Sequence, residues 1–387
     1  MQNTEVHKIG GSVLKDPAET KIIIKRLIST DPRKLVVVSA LFGVTDLINR
    51  ACNSTKSPKK QIKELRSIHD GWINFLIEDA DTRQNLKNKT NDTITEISEE
   101  IELYTATESQ HKLALILSYG ERLSAIILSS AIKQFVKSSL QCPGDFDLKT
   151  TGEPLSSSFI DLNVSKLKRS TITDKITIVP GFYGISEKGN ICLVGRGGSD
   201  YSAAFIAAKL NASKLVFWKD TQGVRSADPK SVGKTQLVKH LNFNALSIME
   251  QTGAAIIHPR VTQEIKNTDI QIHFNNPNTL NNPVTIIQGS GKTTEKPIII
   301  TTGNKQHLDK YSGSALTILS RNIPAALILV SQWKTRHPSS KIINYSDHHI
   351  KISVREDSRT TAAQFFHNGF YVNKQTPANI NRTPQII

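Results

Sequence analysis

The chain has 387 residues, 38% hydrophobic and 21% charged, which is enough apolar material for a sizeable core and excludes wholesale disorder. Ordinary usage of glycine (21) and proline (15) excludes collagen-like or low-complexity chains. Three scattered cysteines, Cys52, Cys142 and Cys192, argue against a disulfide framework or a Cys-based zinc site and fit a reducing cytosol. At roughly 150 residues per domain, two domains or one large domain with an appendage are expected. The net charge is +15, and residues 291–387 hold +8 of it, with 13 Lys/Arg against 5 Asp/Glu. That balance favours anionic ligands. With no long basic run and no interleaved aromatics, a solvated basic surface is a simpler reading than a nucleic-acid site. No stretch approaches the roughly 18 apolar residues of a membrane helix, and residues 1–8 lack a signal peptide's apolar core. A cytoplasmic protein without membrane or nucleic-acid partners is expected.

In chain order, Val6–Ile9 reads as a strand running into Gly10-Gly11-Ser12, followed by a helix over Glu19–Ser29 and a strand over Lys34–Val38. The second strand is continuously apolar, as in a strand buried on both faces. The strand, turn and helix order predicts βαβ units and a parallel sheet. Residues 60–135 read as mainly helical, from the spacing of Ile62, Leu65, Ile68, Trp72 and Phe75–Leu76. In that stretch Asp79–Asn91 is expected to be a connection, Ile94–Leu103 a helix, and Leu113–Phe135 a helix interrupted at Ser118-Tyr119-Gly120. Strands are expected at Ile176–Val179, Ile191–Val194, Leu215–Trp218 and Ile270–Phe274, and helices at Tyr201–Leu210, ended by Asn211, and at Asn242–Thr252. A boundary is expected near residues 289–297. Beyond it a βαββα pattern runs through Ile298–Thr302, Gly313–Arg321, Ala325–Ser331, Ile350–Val354 and Thr360–Asn368, with a loose tail from Lys374.

Four segments carry candidate chemistry. Lys8-Ile9-Gly10-Gly11-Ser12 ends the first strand. Paired glycines let backbone N–H groups approach an anion, and the lysine can place its ammonium beside a phosphate, although a glycine turn with a solvated lysine is a common alternative. Gly195-Arg196-Gly197-Gly198-Ser199-Asp200 leads from a strand into a helix. Backbone donors and the positive helix end would hold an anion there, and Arg196 offers a fork for a carboxylate or phosphate. Read blandly, Ser199 and Asp200 are helix caps. Trp218–Lys230, with Lys219, Asp220, Arg225 and Lys230, is a long charged turn after a strand, where nucleotides bind in parallel sheets, or else a polar surface loop. In Gly120-Glu121-Arg122, Glu121 can bind an ammonium or complement a helix dipole.

Together these segments resemble the aspartate kinases of the amino-acid kinase family over about Lys8–Ser290, with Gly195–Ala204 as the most specific block. Ser39-Ala40 with Gly43-Val44-Thr45, and Gly253–Pro259, add matches in the same order. The resemblance implies an open three-layer α/β/α sandwich with a mainly parallel sheet over residues 1–290, an amino-acid kinase catalytic domain. A partial, small α+β ACT-like regulatory module over 297–372 and a tail over 373–387 would follow. It implies transfer of the ATP γ-phosphoryl group to the β-carboxylate of L-aspartate, giving 4-phospho-L-aspartate, the first step towards lysine, threonine and methionine. Lys8 would stabilise the transferring phosphoryl group and Asp200 would organise the cationic groups. Gly10, Gly11 and Ser12 would cradle phosphate, and Lys219, Asp220, Arg225 and Lys230 would form the nucleotide loop. Arg196 would bind the α-carboxylate of aspartate and Glu121 its ammonium, while Ser39, Ala40, Thr45, Phe182 and Ser199 line the substrate site. Magnesium would travel with ATP rather than sit in a protein cage, and a homodimer is the family expectation.

The chain departs from the family pattern at Ala255, where a lysine is usual, and at Lys219, Arg225 and Lys230, which replace Thr, Tyr and Arg. Lys219 or Arg225 is expected to restore the missing charge. The alternatives are a weakened or inactive kinase-like binding or regulatory subunit, and a kinase for another amino-acid carboxylate.

Overall fold

A computed structural model describes residues 4–54, 57–167, 174–252, 254, 256–279, 283–289, 297–302 and 314–372. Ala255, Gly253 and the C-terminal tail expected from Lys374 lie outside the described residues. The first half holds β1 (Thr4–Ile9), α1 (Pro17–Ile28), β2 (Arg33–Val38), α2 (Val44–Cys52), α3 (Lys59–Leu76), α4 (Ala80–Thr107), α5 (Gln110–Lys133), β3 (Ser138–Leu140), β4 (Lys149–Glu153), β5 (Ser156–Asp161), β6 (Ile176–Pro180), β7 (Tyr183–Ile185) and β8 (Ile191–Leu193). Then come α6 (Gly198–Leu210), β9 (Lys214–Trp218), β10 (Val224–Arg225), β11 (Leu237–Val238), β12 (His240–Leu241), α7 (Phe243–Gln251), α8 (Pro259–Ile265), β13 (Gln271–Asn275) and β14 (Thr285–Ile287). The last elements are β15 (Ile298–Thr302), β16 (Ser314–Leu319), α9 (Ile323–Arg336), β17 (Ile342–Tyr345), β18 (His349–Val354) and α10 (Arg359–Tyr371).

Two compact units form, one from Met1–Gln222 with Arg260–Ile286, the other from Gly223–Pro259 with Ile287–Ile387. This division differs from a single boundary near 290, because residues 223–259 group with the C-terminal residues. Ala227 and Val232 share a core with Ile299, Leu316, Trp333 and Phe366 of the second unit.

In the first unit the main sheet runs β14-β13-β9-β1-β2-β6-β3. β1 lies parallel between β2 and β9, with Lys8 opposite Val37 and Phe217. β1 and β2 are buried almost throughout; β2 meets this with its continuous apolar run, whereas β1 buries Glu5, His7 and Lys8 beside Val6 and Ile9. Helices α2, α3, α4 and α5 pack together beside the sheet, and α6 packs on β1, β2 and β9. The carboxyl ends of β1, β2 and β9 lead into Gly10–Ser12, Ser39–Gly43 and Lys219–Thr221, the edge at which open α/β sheets bind ligands.

Three helical readings need correction. Residues 79–91 are not a connection: Asp79 accepts the Thr82 N–H at 2.8 Å and starts α4, whose buried stripe is Leu86, Thr90, Ile94, Ile97 and Ile101. The polar residues between them face outward, which hides the period in a run this hydrophilic. α5 runs without a break through Ser118-Tyr119-Gly120, since a glycine inside a helix can serve close packing rather than termination. α5 is also long and apolar enough to cross a membrane by length and composition, with a window of mean hydropathy 1.3, contrary to the expectation that no stretch came near; 72% of that window is buried inside the protein. Residues 138–161 hold three further strands, β3, β4 and β5.

The second unit carries the sheet β15-β16-β18-β17, antiparallel throughout. Its order is ββαββα. Gly313–Arg321 was expected as the pattern's helix, but Ser314–Leu319 is a strand buried on both faces. Ala325–Ser331 was expected as a strand, but lies inside α9, which Asn322 caps by accepting the Ala325 N–H at 3.0 Å and which has Pro324 in its first turn. Short apolar runs do not separate helix from strand by periodicity, and the cap decides here.

Candidate functional site

A cavity of about 440 Å³ opens in the first unit and brings together Lys8, Gly11, Ser12, Ser39, Ala40, Thr45, Glu121, Phe182, Arg196, Ser199 and Asp200. Its volume lies within the range of small-molecule sites. Eleven positions chosen from sequence therefore line one cavity, although they come from five separated segments of the chain.

Lys8 is 8% exposed near the end of β1. Its Nζ lies 2.5 Å from Asp200 Oδ1 in the first turn of α6. Gly10 makes this possible: a Cβ there would sit 2.9 Å from Lys8 Nζ. The Gly10 carbonyl accepts the Val13 and Leu14 N–H groups, both at 3.1 Å, and so turns the chain sharply after the strand.

The glycines before α6 have a definite role. Gly195 and Gly197 take φ values of 76° and 70°, and Gly197 is the N-cap, with no side-chain cap bond. Ser199 and Asp200 are thus inside the helix and are not its caps, which removes the bland reading of both. Arg196, held between two left-handed glycines, is exposed and lines the cavity. Phe182 also has a left-handed backbone, φ 76°, which costs a non-glycine residue about 1–2 kcal/mol. Its N–H donates to Ser202 Oγ at 3.0 Å and its carbonyl accepts the Val194 N–H at 2.9 Å. Gly198 leaves room for its ring, since a Cβ there would meet Phe182 Cδ2 at 2.7 Å.

Glu121 is 4% exposed on α5. A Cβ at the preceding Gly120 would lie 2.9 Å from the Ala40 Cβ, so helix and loop are in close contact. Ser124 Oγ ties the same loop down by donating to the Ser39 carbonyl at 2.6 Å. Burial pushes the Glu121 carboxyl up to about 8, opposed by backbone hydrogen bonds that include one from Ala40 and by the charge of Lys8. Glu121 Oε2 is buried without a hydrogen-bond partner. A buried carboxyl oxygen left unsatisfied beside a cavity is what an incoming ammonium or hydroxyl donor would repair.

Lys219 follows β9 and is half-buried, with its ammonium 5.7 Å from the Phe217 ring centroid and 5.3 Å from that of Phe274. Asp220 pairs with Lys15 at 3.1 Å, and its carbonyl accepts from Asn276 Nδ2 at 3.0 Å. Arg225 and Lys230 belong to the second unit, where Arg225 pairs with Leu237 across β10 and β11 and the Lys230 N–H donates to Asp228 Oδ1 at 3.0 Å. Sequence reasoning missed Phe42 and Asp46, which also line the cavity. Phe42 is 65% exposed, and an aromatic side chain left in solvent beside a Gly-Val-Thr turn was the available signal.

The sequence model described as the amino acid kinase family matches residues 3–276. A bifunctional aspartokinase/homoserine dehydrogenase 1 of Arabidopsis thaliana is 30% identical over 296 residues, 73% of this chain and 32% of that protein. An aspartokinase of Geobacillus stearothermophilus is 28% identical over 185 residues, 48% of this chain and 45% of that protein. The chain therefore spans a third to a half of the length of these relatives. Escherichia coli aspartokinase III, crystallised with aspartate and ADP, superposes with a TM-score of 0.76 at 16% identity, covering 95% of this chain and 100% of that one. The aspartate kinase of Clostridium acetobutylicum gives 0.74 at 17% identity, with 95% and 99% covered. At such identities the likeness concerns the fold: a mainly parallel α/β sheet with helices on it. With more than half of its length matched by the family's sequence model, the chain belongs to the amino acid kinase family.

Proposed function

We propose that the protein transfers the γ-phosphoryl group of ATP to the β-carboxylate of L-aspartate, yielding 4-phospho-L-aspartate and ADP. The observation that carries this reading is the Lys8–Asp200 pair sharing one cavity with Arg196 and the unsatisfied Glu121. An amino acid with both α groups free needs an anion for its ammonium and a cation for its carboxylate, and Glu121 and Arg196 supply the two. The carboxylate of the side chain is then left to face Lys8 and the glycine turn.

A β-carboxylate oxygen attacks the γ-phosphorus, the bond to the β-phosphate oxygen breaks, and ADP leaves with that electron pair. Such a step asks for alignment and charge neutralisation rather than covalent help. Lys8 neutralises charge on the moving phosphoryl group, and Asp200 fixes the ammonium of Lys8 in place. Gly11 and Ser12 present backbone to the phosphates, while Ser39, Ala40, Thr45, Phe182 and Ser199 shape the acceptor side. Magnesium would arrive with the nucleotide phosphates, and Asp200 is the carboxylate next to Lys8 that can approach it. The relatives named above are aspartokinases, which supports aspartate as acceptor.

The test is ADP formation by the purified protein with a panel of acceptors: L-aspartate, L-glutamate, N-acetyl-L-aspartate and L-aspartate amide blocked at the α-carboxyl. Turnover with L-aspartate alone is expected. Equal turnover with the two blocked compounds would refute the roles given to Glu121 and Arg196, and preference for glutamate would refute the substrate.

A further inference from the structure

We propose that Arg260 is a positioning residue of this site, holding the Gly195–Asp200 loop so that Arg196 meets the α-carboxylate of the acceptor. The inference rests on the kinase reading and adds to it a residue that the lining of the cavity does not include.

The loop gains little hold from its own residues. Arg196 stands between Gly195 and Gly197, both with left-handed backbone, and glycine has the most conformational freedom to lose on being fixed. Gly197 caps α6 without a side-chain bond. The Gly198 N–H donates to the Gly195 carbonyl at 3.0 Å, which shapes the turn but ties it to nothing outside. β8 ends at Leu193, so Val194 and the loop lie beyond the strand.

Arg260 holds this loop from both sides. It stands in the first turn of α8, directly after the Gly253–Pro259 block, and opens the segment Arg260–Ile286 of the first unit. Its Nη1 donates to the Val194 carbonyl at 2.9 Å and to the Ser157 carbonyl at 3.1 Å. Ser157 Oγ in turn donates to the Leu193 carbonyl at 2.8 Å. The two consecutive carbonyls that lead into Gly195 are thus secured at one junction. Beyond the loop, the guanidinium carbon of Arg260 lies 5.1 Å from the ring centroid of Tyr201, the residue after Asp200, close enough for cation–π attraction. A planar guanidinium can serve carbonyls and an aromatic face together, which an ammonium does less well. Val194 carries the effect further, because its N–H donates to the Phe182 carbonyl at 2.9 Å.

The loop's two charged residues depend on this anchor unequally. Asp200 lies inside α6, which packs on β1, β2 and β9, so the helix itself keeps it beside Lys8. Arg196 precedes the cap and has only the loop to aim it. Loss of the anchor should therefore fall on acceptor binding and spare the transfer step.

The experiment measures steady-state kinetics of the full chain, with L-aspartate and ATP varied in turn, for the native protein, Arg260→Met, Arg260→Lys, Arg196→Ala and the double variants that combine Arg196→Ala with each change at Arg260. Circular dichroism and thermal melts verify folding. Arg260→Met should lower kcat/KM for aspartate about tenfold through KM, with kcat and the KM for ATP within about threefold of native. Arg260→Lys, which keeps the charge, should fall between the two. With Arg196 already removed, Arg260→Met should lower kcat/KM for aspartate by less than about twofold, whereas a general loss of structure would show its full effect there too. If the native protein turns over aspartate and folded Arg260→Met keeps its aspartate KM within about twofold, or the effects of the two changes multiply, the assignment of Arg260 is wrong and the kinase reading stands. Should Arg260→Met not fold, Arg260→Lys decides in its place: an unchanged aspartate KM, or a loss equally large without Arg196, overturns the assignment. If the folded native protein gives no turnover with aspartate, the kinase reading falls and takes this role of Arg260 with it.

Discussion

Replacing Glu121 by glutamine tests the electrostatics of the site without changing its shape. Burial pushes the Glu121 carboxyl up to about 8, against 4.5 for an ordinary glutamate. The folded protein therefore holds this proton more tightly than the unfolded chain does. Stability from this group is fully present below about pH 4.5 and is lost as pH rises towards 8. The whole difference corresponds to roughly 5 kcal/mol. Glu121→Gln keeps a neutral group at every pH. It should match the native protein near pH 5 and exceed it by several kcal/mol above pH 8, as read from urea unfolding at fixed pH. A second readout follows from function. Burial favours the protonated Glu121 carboxyl, and an aspartate ammonium docking there would expel that proton. Calorimetry in buffers of different ionisation enthalpy should then show proton release on aspartate binding in the native protein and none in Glu121→Gln. Parallel stability curves for the two proteins from pH 5 to 9 would refute the reasoning.

Other outcomes follow from the same geometry. Arg196→Lys keeps the charge but loses the planar fork, so the KM for aspartate should rise about tenfold while the KM for ATP stays put; a rise in both would remove Arg196 from the acceptor side. Gly198→Ala places a Cβ 2.7 Å from the Phe182 ring and 2.9 Å from Val194 Cγ2. It should cost about 1–3 kcal/mol of stability and weaken aspartate binding, so an unaltered melting temperature would show that the contact is relieved cheaply. Glu5, buried on β1, is held down to about 2, first by a hydrogen bond from His7 and then by Lys214. Its stabilisation is present above pH 4.5 and lost as pH falls towards 2, so Glu5→Gln should cost roughly 3 kcal/mol at pH 7 and little at pH 2 in denaturant melts.

Much of this was legible in the sequence because strand burial and glycine turns leave local marks. The apolar run of β2 and the ends of β1 and β9 could be read without any contact information, and Asn211, with φ 49°, ends α6 where expected. Lys8, Glu121, Arg196 and Asp200 stand within two residues of glycines, which marked their segments, but it was the resemblance to the aspartate kinases that gathered them into one site. What was missed depended on tertiary context. The polar first half of α4 carries its apolar stripe too thinly to show a period. The exchange of strand and helix in the C-terminal part arose because Ser314–Leu319 and Ala325–Ser331 are both short and apolar, and only the Asn322 cap and the antiparallel pairing with β15 and β18 separate them. Grouping of residues 223–259 with the C-terminal unit depends on Ala227 and Val232 finding a distant core, which no local pattern announces.

The central claim is that Lys8, fixed by Asp200, serves phosphoryl transfer to the side chain of aspartate. The most direct measurement is hydroxylamine trapping of the acyl phosphate formed by the purified protein with ATP, magnesium and L-aspartate, with the product identified by mass. The account predicts β-aspartyl hydroxamate that depends on both substrates and falls at least about a hundredfold in Lys8→Ala. Absence of hydroxamate from folded native protein, or an undiminished yield from Lys8→Ala, would contradict it.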